Sequence, residues 1–175
     1  GTRPEAIKLA PVINIFKKDS NNFKTTIAVT AQHREMLDQV LSLFEIKPDY
    51  DLDLMSKNQT LERLTSKILI GVSDLIKTIK PNILFVQGDT TTAMVSSLAA
   101  FYQKIPVAHI EAGLRTNNKY SPFPEEINRR MTTSLASFHF PPTDLSYQNL
   151  LDEGIKEETI KVVGNTVIDA LLIVS

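Results

Sequence analysis

Three carboxylates that follow predicted strands or open a predicted helix are the residues of this sequence best suited to chemistry. Asp89 comes just after the apolar segment 83–87, and Glu111 follows a second apolar segment, residues 106–110. Glu125 stands in the first predicted turn of a helix, behind a proline-rich approach. Neighbouring carboxylates push each other's pKa values apart, so that one can hold a proton while another accepts one. The cluster therefore indicates acid–base catalysis, as a sugar with a phosphate leaving group requires.

A cationic turn at the start of the sequence is the second feature with chemical potential. Gly1 permits a tight turn, Pro4 suits the first turn of a helix, and Arg3 and Lys8 add positive charge. Because a helix N-terminus also offers free N–H groups, this combination suits a phosphate. An exposed helix start with ordinary surface cations explains the same residues equally well.

Each carboxylate also has a purely structural explanation. Asp and Thr are favoured at helix N-caps, which accounts for Asp89 and the threonines after it. Glu111 and Arg115 can form a surface ion pair, which contributes little to stability. Glu125 can interact favourably with the dipole of the helix that it begins. These explanations stay open on the pattern of residues alone.

Composition limits the classes of function. The 175 residues are 42% apolar and 22% charged, which is typical of a globular protein, and the net charge of −1 predicts no attraction to nucleic acid or to an anionic membrane. No cysteine is present, so thiolate chemistry is excluded. The histidines lack metal-ligand spacing, and we expect His109 and His139 to be core residues. No apolar run approaches the length of a membrane span, and no signal peptide is evident, so we expect a cytoplasmic protein without a metal.

The secondary-structure elements that must position these residues alternate along the chain between short strand-like runs and longer segments of helical periodicity. Helices are predicted over residues 4–18, 34–44, 61–79, 91–103, 125–137, 146–153 and 166–174, and strands over 25–30, 51–54, 83–87, 106–110, 138–140 and 160–163. This alternation predicts an α/β fold with a doubly wound, mainly parallel Rossmann-like sheet, formed as one domain over residues 1–175. Ligands of such sheets bind beyond the carboxyl ends of the strands.

Six motifs run in order along the chain: GTRPEAIKLAPV, TAQHREMLDQVL, VQGDTTTAM, HIEAGLRT, SPFPEEINR and VVGNTVIDAL. They resemble the non-hydrolysing UDP-N-acetylglucosamine 2-epimerases. The resemblance implies the N-terminal half of a GT-B arrangement, with the active site between two Rossmann-like domains. It implies an isomerase that interconverts UDP-GlcNAc and UDP-ManNAc by C2 deprotonation, UDP elimination and re-addition, without a cofactor. Such an enzyme supplies precursors for surface polysaccharide or teichoic acid.

The resemblance also implies roles for particular residues. Asp89, Glu111 and Glu125 match the catalytic carboxylates, which we assign jointly, and Arg3 and Lys8 match nucleotide or diphosphate ligands. A second, activating UDP-GlcNAc is expected at a regulatory site lined by a separate set, Gln32, His33 and Gln59. Asn58 stands where some relatives have arginine, so we expect weaker activation or none.

The same resemblance implies that the first strand and a C-terminal nucleotide-binding domain lie outside residues 1–175. We therefore expect no epimerase activity from this chain alone. The resemblance also implies a homodimer at full length. Two other functions remain open. One is a GT-B glycosyltransferase, which would share the fold and the nucleotide but not the carboxylates. The other is a sugar-nucleotide-binding domain without catalysis.

Overall fold

The computed structural model describes residues 2–30, 34–54, 56 and 59–175. Within them the chain forms α1 (Arg3–Lys18), β1 (Ala28–Val29), α2 (Arg34–Leu43), β2 (Tyr50–Asp51), α3 (Leu61–Ile79), β3 (Leu84–Gln87), α4 (Thr91–Tyr102), β4 (Val107–Ile110), α5 (Glu125–Leu135), β5 (Phe138–Phe140), α6 (Asp144–Asp152) and α7 (Thr166–Val174). The chain divides into two compact units. The second unit is Gln59–Gly164, and the first takes in the described residues before it together with Asn165–Ser175.

The first unit contains α1, α2 and α7 beside a short parallel pair of strands. β1 and β2 pair with Ala28 opposite Tyr50. A capping box begins α1: the Thr2 N–H donates to the Glu5 carboxylate, and the Glu5 N–H donates to Thr2 Oγ1 at 3.4 Å. The unit closes over a core of apolar side chains from its helices and strands, which includes Ala10, Ile27, Val29, Leu37, Val40, Leu41, Phe44, Ile46 and Ala170.

The second unit is built on a parallel sheet in the order β3–β4–β5. All four residues of the central strand β4 are buried, as expected for a parallel strand covered on both faces. Helix α4 packs against α3 and α5, and its small residues Ala93 and Ala99 are buried. Because the three strands are parallel, their carboxyl ends meet at one edge, and the residues that follow β3 and β4 are brought together there.

The predicted α/β class with parallel strands is confirmed, and each of the seven predicted helices is present. The predicted strand over residues 160–163 is wrong in extent: only one bridge joins Ile160 to His139. The Lys161 N–H donates to the His139 carbonyl at 2.9 Å and the Val163 N–H to the Pro141 carbonyl at 3.1 Å, but this edge segment is largely exposed and forms no named strand. A 3-10 turn, Glu157–Thr159, precedes it. Among the described residues no helix is both long and apolar enough to cross a membrane.

Candidate active site

The turn after β3 carries Asp89 but does not use it as a helix cap. Gly88 turns the chain with φ +72, and the N-cap of α4 is Thr90, whose Oγ1 accepts the Ala93 N–H at 3.1 Å. The capping explanation for Asp89 is therefore wrong, because the neighbouring threonine has that role. The Asp89 carboxylate instead accepts a hydrogen bond from Arg129 Nη2 at 2.6 Å.

The electrostatic environment of Asp89 links it to both of the other carboxylates. Its side chain is 27% exposed. Burial raises the pKa of Asp89, the Arg129 guanidinium opposes that rise, and the charges of Glu125 and Glu111 add to it. The net effect is a pKa above the usual value. Glu111 and Glu125 thus both lie within electrostatic range of Asp89, and we call these three residues the carboxylate cluster.

Glu111 lies at the end of β4 in a left-handed backbone conformation, with φ +64. Its N–H donates to the Phe140 carbonyl of β5 at 3.0 Å, and Gln87 Nε2 donates to its Oε2 at 2.5 Å. A Cβ placed on Gly88 would lie 3.7 Å from the same Oε2. The Glu111 carboxylate therefore lies over the turn that leads to Asp89.

Glu125 and Glu126 are adjacent in α5 but differ in environment. Glu125 is half-buried at the first position of the helix, and the N-cap, Pro124, makes no side-chain capping bond. Glu126 is fully buried and accepts the N–H groups of Thr116 and Asn117 at 3.1 and 3.2 Å. Burial raises the pKa of Glu126, but these bonds and that from Arg130 hold it below the usual value. Glu126 thus fastens the loop after β4.

A set of ion pairs, which we call the arginine network, consists of Arg115, Glu126, Arg130 and Glu153. The Arg115 side chain is 2% exposed and binds Glu153 through two hydrogen bonds, at 2.8 and 2.6 Å. Arg130 donates to Glu126 at 3.1 Å and to Glu153 at 3.0 Å. Arg115 is thus paired with Glu153, and the surface pair between Glu111 and Arg115 is not the arrangement observed. The network joins the loop after β4 to α5 and to the end of α6.

Two histidines are buried in neighbouring strands, as expected for core residues. His109 in β4 and His139 in β5 are opposite one another in the parallel register. His109 Nε2 lies 2.7 Å from the Gly88 carbonyl oxygen, and His139 Nε2 lies 3.1 Å from the Thr133 carbonyl oxygen. Burial lowers both pKa values, that of His109 to about 4. Both rings are therefore neutral near physiological pH.

The predicted phosphate ligands belong to the first unit. Arg3 is exposed and Lys8 half-buried, and they lie one to two turns apart at the start of α1. They line a pocket of about 290 Å³ together with Pro4, Ile7 and Val167. The surface of this pocket is almost entirely apolar, although Arg3 and Lys8 are among its lining residues. Their role as phosphate ligands stays a prediction.

The predicted regulatory residues are described only in part. Gln32, His33 and Asn58 lie outside the described residues. Gln59 is half-buried and directly precedes Thr60, the N-cap of α3, whose Oγ1 accepts the Arg63 N–H at 3.4 Å. Across the described ranges, no group of three or more histidine, aspartate or glutamate side chains is arranged to hold a metal ion.

Comparison with known proteins decides the family. The sequence model for UDP-N-acetylglucosamine 2-epimerases matches residues 16–175. The chain belongs to this family. It is 58% identical over 173 residues to the UDP-N-acetylglucosamine 2-epimerase of Neisseria meningitidis serogroup A, covering 99% of this chain and 46% of that relative. It is 56% identical over 172 residues to the Escherichia coli K12 enzyme of the same name, covering 98% and 46%.

Solved structures of the family share the fold. The Neisseria meningitidis UDP-GlcNAc 2-epimerase bound to UDP-GlcNAc matches with a TM-score of 0.95 and 58% identity, over 99% of this chain and 47% of that one. The Methanocaldococcus jannaschii enzyme in complex with UDP-GlcNAc and UDP matches with a TM-score of 0.92 and 41% identity, over 98% and 47%. The chain thus spans about half the length of the relatives it matches. The resemblance and the Rossmann-like, GT-B-type fold class are confirmed.

Sequence reasoning missed the residues that hold the carboxylates in place, namely Gln87, Arg129 and the buried Glu126. A partial signal was present for two of them, because Glu126 and Arg129 are three residues apart on one helix face. The bond from Arg129 to Asp89 spans 40 residues, and that from Gln87 to Glu111 spans 24. Neither pairing has a local sequence pattern that would reveal it.

Proposed function

We propose that the protein containing this chain interconverts UDP-GlcNAc and UDP-ManNAc without net hydrolysis, and that this chain supplies the acid–base carboxylates. The observation that carries the proposal is the carboxylate cluster at the carboxyl edge of the β3–β4–β5 sheet. The UDP-sugars found in the related solved structures support the choice of substrate.

In the proposed reaction a carboxylate removes the C2 proton, and the C1–O bond breaks with UDP as the leaving group. The product of this elimination is a glycal-type intermediate. UDP then adds back at C1, and C2 accepts a proton on the opposite face. Asp89, Glu111 and Glu125 share these proton transfers, since a raised pKa, as at Asp89, brings a carboxyl closer to the pH at which it can both give and accept a proton.

The diphosphate needs positive charge, because a cluster of carboxylates alone would repel it. We assign Arg3 and Lys8 to this task, and their position at the N-terminal end of α1 suits an anion. Arg129 has a different task, since its guanidinium is already hydrogen-bonded to Asp89. It orients that carboxylate and opposes the rise in its pKa.

The wider function follows from the family resemblance. We propose that the full-length protein is a cytoplasmic homodimer that supplies UDP-ManNAc for surface-polysaccharide or teichoic-acid synthesis, and that residues 1–175 form its N-terminal domain and are inactive alone. A second UDP-GlcNAc would bind a regulatory site that includes Gln32, His33 and Gln59. Because Asn58 stands where some relatives have arginine, we expect weaker activation or none. Measuring UDP-ManNAc consumption with and without added UDP-GlcNAc tests this point.

Solvent exchange at C2 tests the proposed reaction. The full-length protein is incubated with UDP-GlcNAc in D₂O, and the sugar nucleotides are analysed by NMR and mass spectrometry. We expect UDP-ManNAc to appear and deuterium to enter C2 of both sugars. Turnover without deuterium at C2 would indicate a glycosyltransferase. Binding without any turnover would indicate a sugar-nucleotide-binding domain, and either result would overturn the proposal.

A further inference from the structure

A buried histidine contacts the backbone directly beneath the carboxylate cluster. His109 is fully buried in β4, two residues before Glu111, and its Nε2 lies 2.7 Å from the Gly88 carbonyl oxygen. A carbonyl oxygen can only accept, so Nε2 carries the hydrogen. Since burial lowers the pKa of His109 to about 4, the ring is neutral and Nδ1 bears a lone pair.

With this contact, both backbone polar groups of Gly88 are hydrogen-bonded to β4. The Gly88 N–H donates to the Ile110 carbonyl of β4 at 3.0 Å, and the Gly88 carbonyl accepts from His109 of the same strand. Both polar groups of the residue before Asp89 are therefore held by β4. Gly88 has a φ of +72°, and glycine has wide backbone freedom. Without these two bonds the chain could rotate at this residue.

A second cross-link runs in the opposite direction. Gln87 at the end of β3 is 3% exposed, and its Nε2 donates to the Glu111 carboxylate that follows β4. Thus β4 holds the backbone that carries Asp89, while β3 holds the side chain of Glu111. The relative position of these two carboxylates depends on both links.

We propose that His109 is a positioning residue for the epimerisation: its hydrogen bond to the Gly88 carbonyl fixes the position of Asp89 relative to Glu111 and Arg129. The proposal rests on the proposed function, because it requires Asp89 to act on the substrate. His109 Nδ1 has no hydrogen-bond partner among the described residues. An unpaired buried nitrogen is unfavourable for stability. A histidine is therefore a costly residue for core packing alone, which favours a role for the geometry that its Nε2 bond imposes on Gly88.

His139 offers a matched control inside the same sheet. It is opposite His109 in the register, it is 2% exposed, and its Nε2 also bonds to a backbone carbonyl. That carbonyl belongs to Thr133 in α5, which is not next to any member of the carboxylate cluster. Replacing either histidine with leucine removes its bond to a backbone carbonyl, and at His139 also the 3.5 Å contact with Thr159 Oγ1. Only the change at His109 frees the peptide before Asp89.

The experiment compares His109→Leu, His109→Gln and His139→Leu in the full-length protein, with kcat, KM for UDP-GlcNAc and Tm measured for each. We expect kcat of His109→Leu to fall by about 10- to 100-fold with KM nearly unchanged, since small misplacements of a catalytic group have effects of this order. His109→Gln should recover most of kcat, because its amide can donate to Gly88. His139→Leu should keep the wild-type kcat per folded molecule, whatever its Tm.

Equal losses of kcat in the two leucine variants, or wild-type kcat in His109→Leu, would overturn the proposal. If His109→Leu does not fold, His109→Met takes its place, because it also lacks a donor and has a flexible side chain. Wild type and Asp89→Asn are assayed in parallel. An inactive wild type or a fully active Asp89→Asn contradicts the proposed function itself. If the wild type is active and Asp89→Asn is inactive, the proposed function stands, and an unexpected result for the His109 variants contradicts only the role proposed for His109.

Discussion

The carboxylate cluster and the arginine network use the same residue types in the same unit, yet their acids differ in environment. Glu126 is fully buried and accepts two backbone N–H groups as well as Arg130. Asp89 is 27% exposed, and its carboxylate accepts a hydrogen bond from Arg129. An acid saturated by donors is held ionised and serves as a structural anchor. An acid with partial exposure and a raised pKa can still exchange a proton.

Arg129 is the residue that touches both regions. Its Nη2 donates to Asp89 at 2.6 Å, and its Nη1 lies 3.5 Å from Glu126 Oε2. Glu125 and Glu126 are adjacent in α5, yet Glu125 belongs to the carboxylate cluster and Glu126 to the arginine network. The environment of each carboxylate therefore determines its role, and the identity of the residue does not. The predictions below test that division, from the largest expected effect to the smallest.

Asp89→Asn should have the largest effect. The amide keeps the shape of the side chain but cannot accept the transferred proton, so kcat for UDP-GlcNAc should fall by about 10³-fold, within the range of general acid–base contributions. The Tm should change little, because Asp89 is partly exposed and does not cap α4. Steady-state kinetics and thermal unfolding of the full-length protein check both points. A fall in kcat of less than tenfold would remove Asp89 from the acid–base roles.

Glu126→Gln should act on stability. Removing the charge leaves Arg130 and Arg129 facing a neutral group in a buried site, which destabilises by about 3 kcal/mol. Urea denaturation measures this change. Glu153→Gln is the matched control in the same network, and because Glu153 is 29% exposed the expected loss there is about 1 kcal/mol or less. Equal losses in the two variants would contradict the anchoring role of Glu126.

The pH dependence of stability should carry a contribution from His109. Its pKa is near 4 when folded and about 6.5 when unfolded, so between these values only the unfolded chain takes up the proton. Stability is therefore retained above pH ~6.5 and lost as the pH falls toward 4, by up to about 3 kcal/mol. Denaturation curves across this range, compared with His109→Gln, measure the contribution. An unchanged pH dependence in the variant would contradict it.

Arg129→Gln should shift the pH profile of catalysis. The Arg129 guanidinium lowers the pKa of Asp89 against the effect of burial, so its removal should raise that pKa further. The acid limb of kcat should then move to higher pH by about one unit. Arg130→Gln is the control, because Arg130 bonds to Glu126, Glu153 and Asn117. An identical shift in both variants would show that the effect is not specific to Asp89.

The sequence predicted the helices and the ends of β3, β4 and β5 well, because these depend on local periodicity and on apolar runs. It predicted strands over 25–30 and 51–54, whereas β1 and β2 are only two residues long. It could not decide whether Asp89 or Thr90 caps α4, since both residue types are favoured caps and the boundary depends on backbone angles. It also suggested Arg115 as the partner of Glu111, whereas Arg115 binds Glu153, 38 residues away.

These failures share a physical cause. A salt bridge between residues that are far apart in sequence depends on which loops and helices meet in the fold. The spacing of the residues along the chain does not show which of these elements meet. The bonds to Asp89, Glu111 and Glu153 all cross between elements in this way. The position of the candidate site at the strand ends was therefore predictable, and the side chains that orient it were not.

The most direct test measures deuterium incorporation at C2 of UDP-GlcNAc in D₂O, per folded molecule, for Asp89→Asn and Glu126→Gln. Both variants of the full-length protein are assayed at a temperature where each is folded. The division between the carboxylate cluster and the arginine network predicts that Asp89→Asn loses incorporation by about 10³-fold, whereas Glu126→Gln stays near wild type. Equal losses in the two variants, or a larger loss in Glu126→Gln, would contradict it.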